Sequence, residues 1–133
     1  MAPLYACIIF AYRKKGMSEE AYHEYLSTHH ATVVKNHIAK FGIVNYTLTH
    51  NTSEAKTMAT RLLGPVPQAE KKIADYDCVV QVKFRDIQNY LKTRDDPFFK
   101  EVIGPDHEHF ADTERTRFLT GWVEKLIEDG VVD

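Results

Sequence analysis

The stretch Leu4 to Arg13, LYACIIFAYR, carries apolar side chains on both of its alternating faces. Leu4, Ala6, Ile8, Phe10 and Tyr12 share one face, and Tyr5, Cys7, Ile9 and Ala11 share the other. A strand of this kind must be covered on both sides. It belongs inside a sheet with helices over one face and a further layer over the other.

Ser18 to Gly42 is expected to be the longest helix. Ser18 is a good N-cap, Glu19 and Glu20 put negative charge in the first turn, and Gly42 closes the far end. Tyr22, Tyr25, Leu26, Val33, Val34, Ile38 and Phe41 form one broad apolar stripe. His30 and His37 lie inside that stripe, and His29 sits on its shoulder. Most imidazoles on a core-facing stripe are structural, so His30 is a candidate for chemistry that needs partners from elsewhere.

Three more strands are expected. Ile43 to Asn51 is rich in β-branched residues and puts Val44, Tyr46, Leu48 and His50 on one face. Tyr76 to Phe84 follows Asp75, and Thr116 to Glu124 is the last. Between the second and third strands, Ser53 to Gly64 reads as a short helix capped by Ser53, and Pro65 and Pro67 break the pattern beyond it. Such an excursion is often a lid. Met58, Leu62 and Leu63 would then cover an apolar ligand or dock on the core. A helix capped by Asp86 and a short one starting at Pro97 precede the loop GPDHEHFAD, Gly104 to Asp112, the chain's densest group of carboxylates and imidazoles. KLIEDGVVD reads as a tail.

The order strand, helix, strand, excursion, strand, helix, strand is the split βαβ, ferredoxin-like arrangement, an α+β fold with helices on one side of an antiparallel sheet. One domain covering residues 1–133 is expected, since 133 residues suffice for one core and not for two. The other face of the sheet remains apolar, and a second copy of the same chain would cover it in a symmetric dimer.

Composition narrows the partners. A net charge of −2 with scattered Lys and Arg argues against nucleic acid. No apolar run is long enough to span a membrane, and the N-terminus lacks the basic start of a signal peptide. Cys7 and Cys78 sit in apolar runs without C-x-x-C spacing, which suits a reducing, cytoplasmic setting. No H-E-x-x-H pattern, metal spacing or glycine-rich phosphate loop is present, so neither metal nor cofactor is expected.

The opening strand, GMSEEAYHEYLSTHHATVV, the Gly42–Tyr46 segment, DYDCVVQVKF, PDHEHFAD and the Trp-bearing last strand together resemble the EthD-type dimeric α+β barrel proteins. The likeness runs from about Leu4 to Gly130. Within that group it is most similar to small fungal polyketide-pathway proteins described as decarboxylases of anthraquinone-type acids. Two departures stand out: Thr32 replaces the family's proline after His30-Ala31, implying a straighter helix there, and His107 and His109 replace a lysine- and glutamate-rich stretch.

The resemblance implies a ligand between helices and sheet. His30, Tyr46, Asp106 and His107 are then the candidate catalytic group: His30 as acid or proton donor, Tyr46 on a substrate oxygen, and His107 as a second relay oriented by Asp106. Tyr22, Leu26, Val33, His50, Met58, Leu62, Asp77 and Phe110 are the candidate substrate contacts. Three functions remain open: cofactor-free decarboxylation of an aromatic or β-keto polyketide acid, cyclisation or dehydration on the same substrate class, and binding of a hydrophobic aromatic intermediate without chemistry.

Overall fold

Hydrogen-bond pairing sets the architecture of the computed structural model, which describes residues 3–133. β1 (Leu4–Ala11) lies between β3 (Cys78–Phe84) and β4 (Arg117–Val123), and β2 (Asn45–His50) borders β3, giving the order β2-β3-β1-β4. Every pairing is antiparallel. The register places Cys7 between Val82 and Thr120, and Ile9 between Val80 and Phe118. The strand that is apolar on both faces is therefore internal, as its pattern required.

The helices cover the Cys7/Ile9 face. α1 (Glu19–Tyr25) and α2 (Ala31–Ile38) come from the long helical stretch; α3 (Ser53–Leu63) is the excursion, and α4 (Ile87–Asp95) follows β3. Three apolar clusters join helices to sheet. Cys7, Val82 and Phe84 pack with Tyr90; Cys78 packs with Tyr22, Leu26 and Phe110; Val34 and Ile38 pack with Ile103. This is the ferredoxin-like α+β fold.

The long helix is not continuous. Leu26–His30 forms a π turn between α1 and α2, and Ala39–Phe41 is a 3-10 turn ending at Gly42, whose φ of 79° needs glycine. A straighter helix near Thr32 is thus not what forms. Threonine hydroxyls at 28 and 32 donate to the carbonyls of Glu24 and Thr28, competing for acceptors in the loosened segment.

Other expectations also need correction. Thr52, not Ser53, caps α3, its hydroxyl accepting from the Ala55 amide; the backbone N–H and hydroxyl of Ser53 donate to Glu19 instead. The segment expected as a loop at Gly104 is helical. A second π turn (Phe99–Ile103) runs into α5 (Gly104–Asp106) and a 3-10 turn at His107–His109. The tail forms a small hairpin, β5 (Ile127–Glu128) with β6 (Val131–Val132). No helix among the described residues is long and apolar enough to cross a membrane.

Candidate active site

An apolar cavity of about 380 Å³ opens between the helices and the sheet, within the size range of small-molecule sites. Ile9, Val80 and Val82 form its floor. One wall is set by Tyr22, Leu26, His30, Val34 and Ile38, each four residues after the last. At about 100° per residue, an α-helix overshoots by some 40° in every four-residue step and would carry these side chains off one face. The π turn holds more residues per turn and takes that drift back. The second π turn does the same for Phe99, Ile103 and His107 on the facing segment.

His30 is 6% exposed, and its Nδ1 lies 2.7 Å from Asp106 Oδ2. The other carboxylate oxygen, Oδ1, accepts from the Tyr25 hydroxyl at 2.5 Å, with His29 Nε2 at 3.8 Å. Burial opposes ionisation of Asp106, but the hydrogen bonds from Tyr25 and His30 outweigh it and hold the carboxyl below its usual range. An ionised carboxylate only accepts, so His30 Nδ1 carries the proton and Nε2 keeps the lone pair of the neutral ring. Burial pulls His30 below the ordinary histidine range; Asp106 opposes that pull and His107 adds to it. His30 therefore rests as a neutral base at pH 7.

His107 stands edge-on to His30, ring centroids 4.7 Å apart. Its Nδ1 donates to the Gly104 carbonyl at 2.9 Å, and its Nε2 has no hydrogen-bond partner among the described residues. The expected orientation of His107 by Asp106 is thus wrong in its partner: Asp106 orients His30, and the preceding helical turn orients His107. Phe110 is 3% exposed and packs against the His30 ring at 4.6 Å.

Two phenols line the same space. Tyr22 is fully buried, and its hydroxyl has no hydrogen-bond partner among the described residues. Tyr46, on β2 opposite Val82, points its ring into the helix–sheet core. Burial raises both phenols well above the usual tyrosine value, so both are donors.

The remaining sequence candidates lie elsewhere. His50 shares the helix-facing side of β2 but meets His23, Nδ1 to Nδ1 at 2.6 Å, and Ser27 through Nε2 at 3.1 Å. Asp77 accepts from the backbone N–H of Arg13 at 2.8 Å and pairs with its guanidinium at 3.3 Å, a structural tie on the far end of β1. Met58 and Leu62 are 65% and 87% exposed, so α3 does not cover the cavity. Val33 packs beside Val34 and Ile103, while Val34 takes the cavity position that the four-residue spacing dictates. His37 donates from Nε2 to the Thr93 carbonyl at 3.0 Å and serves the core. Cys7 and Cys78 are free and buried; burial pushes the Cys78 thiol up to about 12, which leaves it unreactive.

Sequence reasoning missed Tyr25 as a donor to Asp106, and it missed Arg94, Tyr90 and Glu108 in the cavity wall. Tyr25 lay in the apolar stripe, where a phenol looks like core. Among the described residues no group of three or more His, Cys, Asp or Glu is disposed to hold a metal ion.

The EthD domain family matches this chain over residues 14–114. The chain belongs to that family. This EthD protein is 42% identical over 124 residues to the conidial pigment biosynthesis dehydratase EthD of Metarhizium robertsii, spanning 93% of this chain and 85% of that relative. It is 40% identical to the decarboxylase claH of Passalora fulva, over 96% of this chain and 82% of the other. A third relative, the dehydratase aurZ of Gibberella zeae, is 40% identical over 93% of this chain and 80% of its own length. Among solved structures, an EthD-like protein from Ralstonia eutropha JMP134 superposes with a TM-score of 0.59 at 12% identity, with 96% of each chain covered. The hydroxynitrile lyase of Passiflora edulis superposes at 0.58 and 11% identity, covering 96% of this chain and all of that one. These two likenesses concern the fold.

Proposed function

We propose that this EthD protein is a cofactor-independent lyase of polyketide tailoring that decarboxylates an aromatic or β-keto polyketide acid. The observation that carries the reading is the Asp106–His30 pair, a neutral base held in an apolar cavity beside a second imidazole. Such an acid has an electron sink in its neighbouring carbonyl, so the protein needs only to move one proton and steady an enolate. Neutral His30 takes the acidic proton of the bound acid, and the Asp106 carboxylate offsets the imidazolium charge. The carbon–carbon bond to the carboxylate then breaks, its electron pair passes into the carbonyl as an enolate, and carbon dioxide leaves. The imidazolium returns the proton to carbon. The unpartnered Tyr22 hydroxyl, together with Tyr46, is suited to donate to the enolate oxygen.

A second reading is dehydration at the same site, through an enolate formed by removing a C–H proton beside the carbonyl, from which the hydroxyl on the next carbon leaves. It is favoured by the resting state of His30, which suits removal of a proton beside a carbonyl; the imidazolium then gives that proton to the departing hydroxide. The relatives' names include both decarboxylases and dehydratases.

The working unit is proposed to be a homodimer. On the sheet face turned away from the helices, β4 leaves Leu119, opposite Ile8 of β1, 46% exposed, an apolar surface that a second sheet would cover.

Mass spectrometry of anthrone and β-keto polyketide acids incubated with the purified protein tests the reaction. Loss of carbon dioxide supports the first reading and loss of water the second. Unchanged ligand that nevertheless stays bound would overturn both and leave a shielding protein.

A further inference from the structure

The end of the cavity away from His30 holds a cation. Arg94, in the last turn of α4, lines the cavity with its guanidinium carbon 5.1 Å from the Phe99 ring centroid, 5.9 Å from Tyr90 and 6.0 Å from Phe118. Among the described residues no carboxylate pairs with it. Three rings surround the guanidinium, and a cation–π contact with a ring uses up none of its N–H donors. Beyond the Tyr90 hydroxyl beside it, a guanidinium with five N–H groups keeps donors for a flat, two-oxygen or single-oxygen anion.

The position of this cation along the sheet is also set. Tyr90 packs with Val82 and Phe84 at one end of β3, whereas Tyr22 and Phe110 pack with Cys78 at the other. His30 and His107 pack against Phe110 and so belong to the Cys78 end. Glu108 lines the cavity beside His107 and adds negative charge there. The apolar space between thus has a cation at one end and a base with a carboxylate neighbour at the other.

We propose that Arg94 is the anchor for an oxyanion on the substrate, a carboxylate or acidic phenolate on a planar aromatic ring system, at the end remote from the reacting carbon. This rests on the cavity being the substrate site. Arg94 then acts as a specificity-determining residue: it selects acidic polycyclic aromatics over neutral ones, and it fixes which end of the molecule meets His30.

Equilibrium dialysis with anthraquinone-2-carboxylate, its neutral carboxamide, and 2-hydroxyanthraquinone above its own ionisation point tests this without turnover. R94Q is expected to weaken the carboxylate about tenfold or more, as loss of a charged hydrogen-bond partner does, and to leave the carboxamide unchanged. R94K should restore part of the carboxylate affinity. Sensitivity of the phenolate to R94Q, where the carboxylate is insensitive, would identify the phenolate as the anchored group. Equal weakening of carboxylate and carboxamide overturns the anchor, because Arg94 would then serve only ring packing. Failure of the wild-type protein to bind any of the three overturns the anchor and the proposed function together. Arg94-dependent binding with no turnover of any acid leaves the anchor standing and removes the lyase reading.

Discussion

Asp106 and His30 are 76 residues apart in the chain, and their Oδ2 and Nδ1 atoms are 2.7 Å apart in the fold. The carboxylate dictates where the imidazole carries its proton. His30→Ala should lower turnover on the order of a hundredfold or more if His30 moves the proton. Asp106→Asn tests the tautomer specifically. It should reduce kcat while circular dichroism stays unchanged. Because Asp106 raises the affinity of His30 for a proton, its loss should also move the acid limb of the pH–rate profile to lower pH. An acid limb shifted upward would contradict the assignment.

Stability should fall on mild acidification. His23, His30 and His50 all titrate below the usual histidine range, with burial the largest cause in each. In the unfolded chain these imidazoles return to about pH 6.5. As pH drops through that value the unfolded state binds more protons than the folded one, so the histidine contribution is full above about pH 6.5 and shrinks below it. Asp106, held low, keeps its contribution until pH falls beneath the usual carboxylate range. Tm should therefore be flat from about pH 8 to 7 and decline toward pH 5. His50→Gln should flatten that decline; an unchanged slope would remove the His23–His50 pair as a cause.

His37 separates stability from chemistry. It is 4% exposed and donates to the Thr93 carbonyl. His37→Ala should cost about 1–3 kcal/mol by leaving that buried carbonyl unpaired, measured by urea denaturation. At temperatures where the variant is folded, kcat should match the wild type.

The exposed Leu119 on the outer face of β4 gives a prediction about assembly. Leu119→Glu places a charge in the middle of the surface that a second sheet would cover, and it should shift light-scattering mass from dimer to monomer. A wild-type protein that is already monomeric at micromolar concentration would end the dimer proposal.

Much of the fold was legible because it follows from patterns of period two and 3.6. The two-sided apolar face of Leu4–Ala11 required a central strand, and the order of elements gave the ferredoxin-like topology. Gly42 and Asp86 end and begin helices as their chemistry dictates. His30, Tyr46, His107, Tyr22, Leu26 and Phe110 do gather at one cavity. The partner choices were not legible. Whether Asp106 orients the histidine beside it in sequence or one on another helix depends on how the turn at Gly104 folds. His50 shares a strand face with Tyr46, yet four residues along a strand carry it beyond the cavity to His23. Arg94 was not legible either, because nothing local announces the three rings that come from different elements.

The two π turns make the site sensitive to chain length in a way that point substitutions do not reveal. Each one absorbs the angular surplus of a single residue, so deleting one residue within Leu26–His30 would close the helix to a regular pitch and rotate everything beyond it. Val34 and Ile38 would leave the cavity wall together, although no side chain there had been altered. Within these two short windows the exposed positions should tolerate many replacements, but almost no insertions or deletions should be tolerated. In α3, whose outer face is open to solvent, a change in length should matter little. Descendants of this chain could then diversify by substitution inside the cavity and by length only at its periphery.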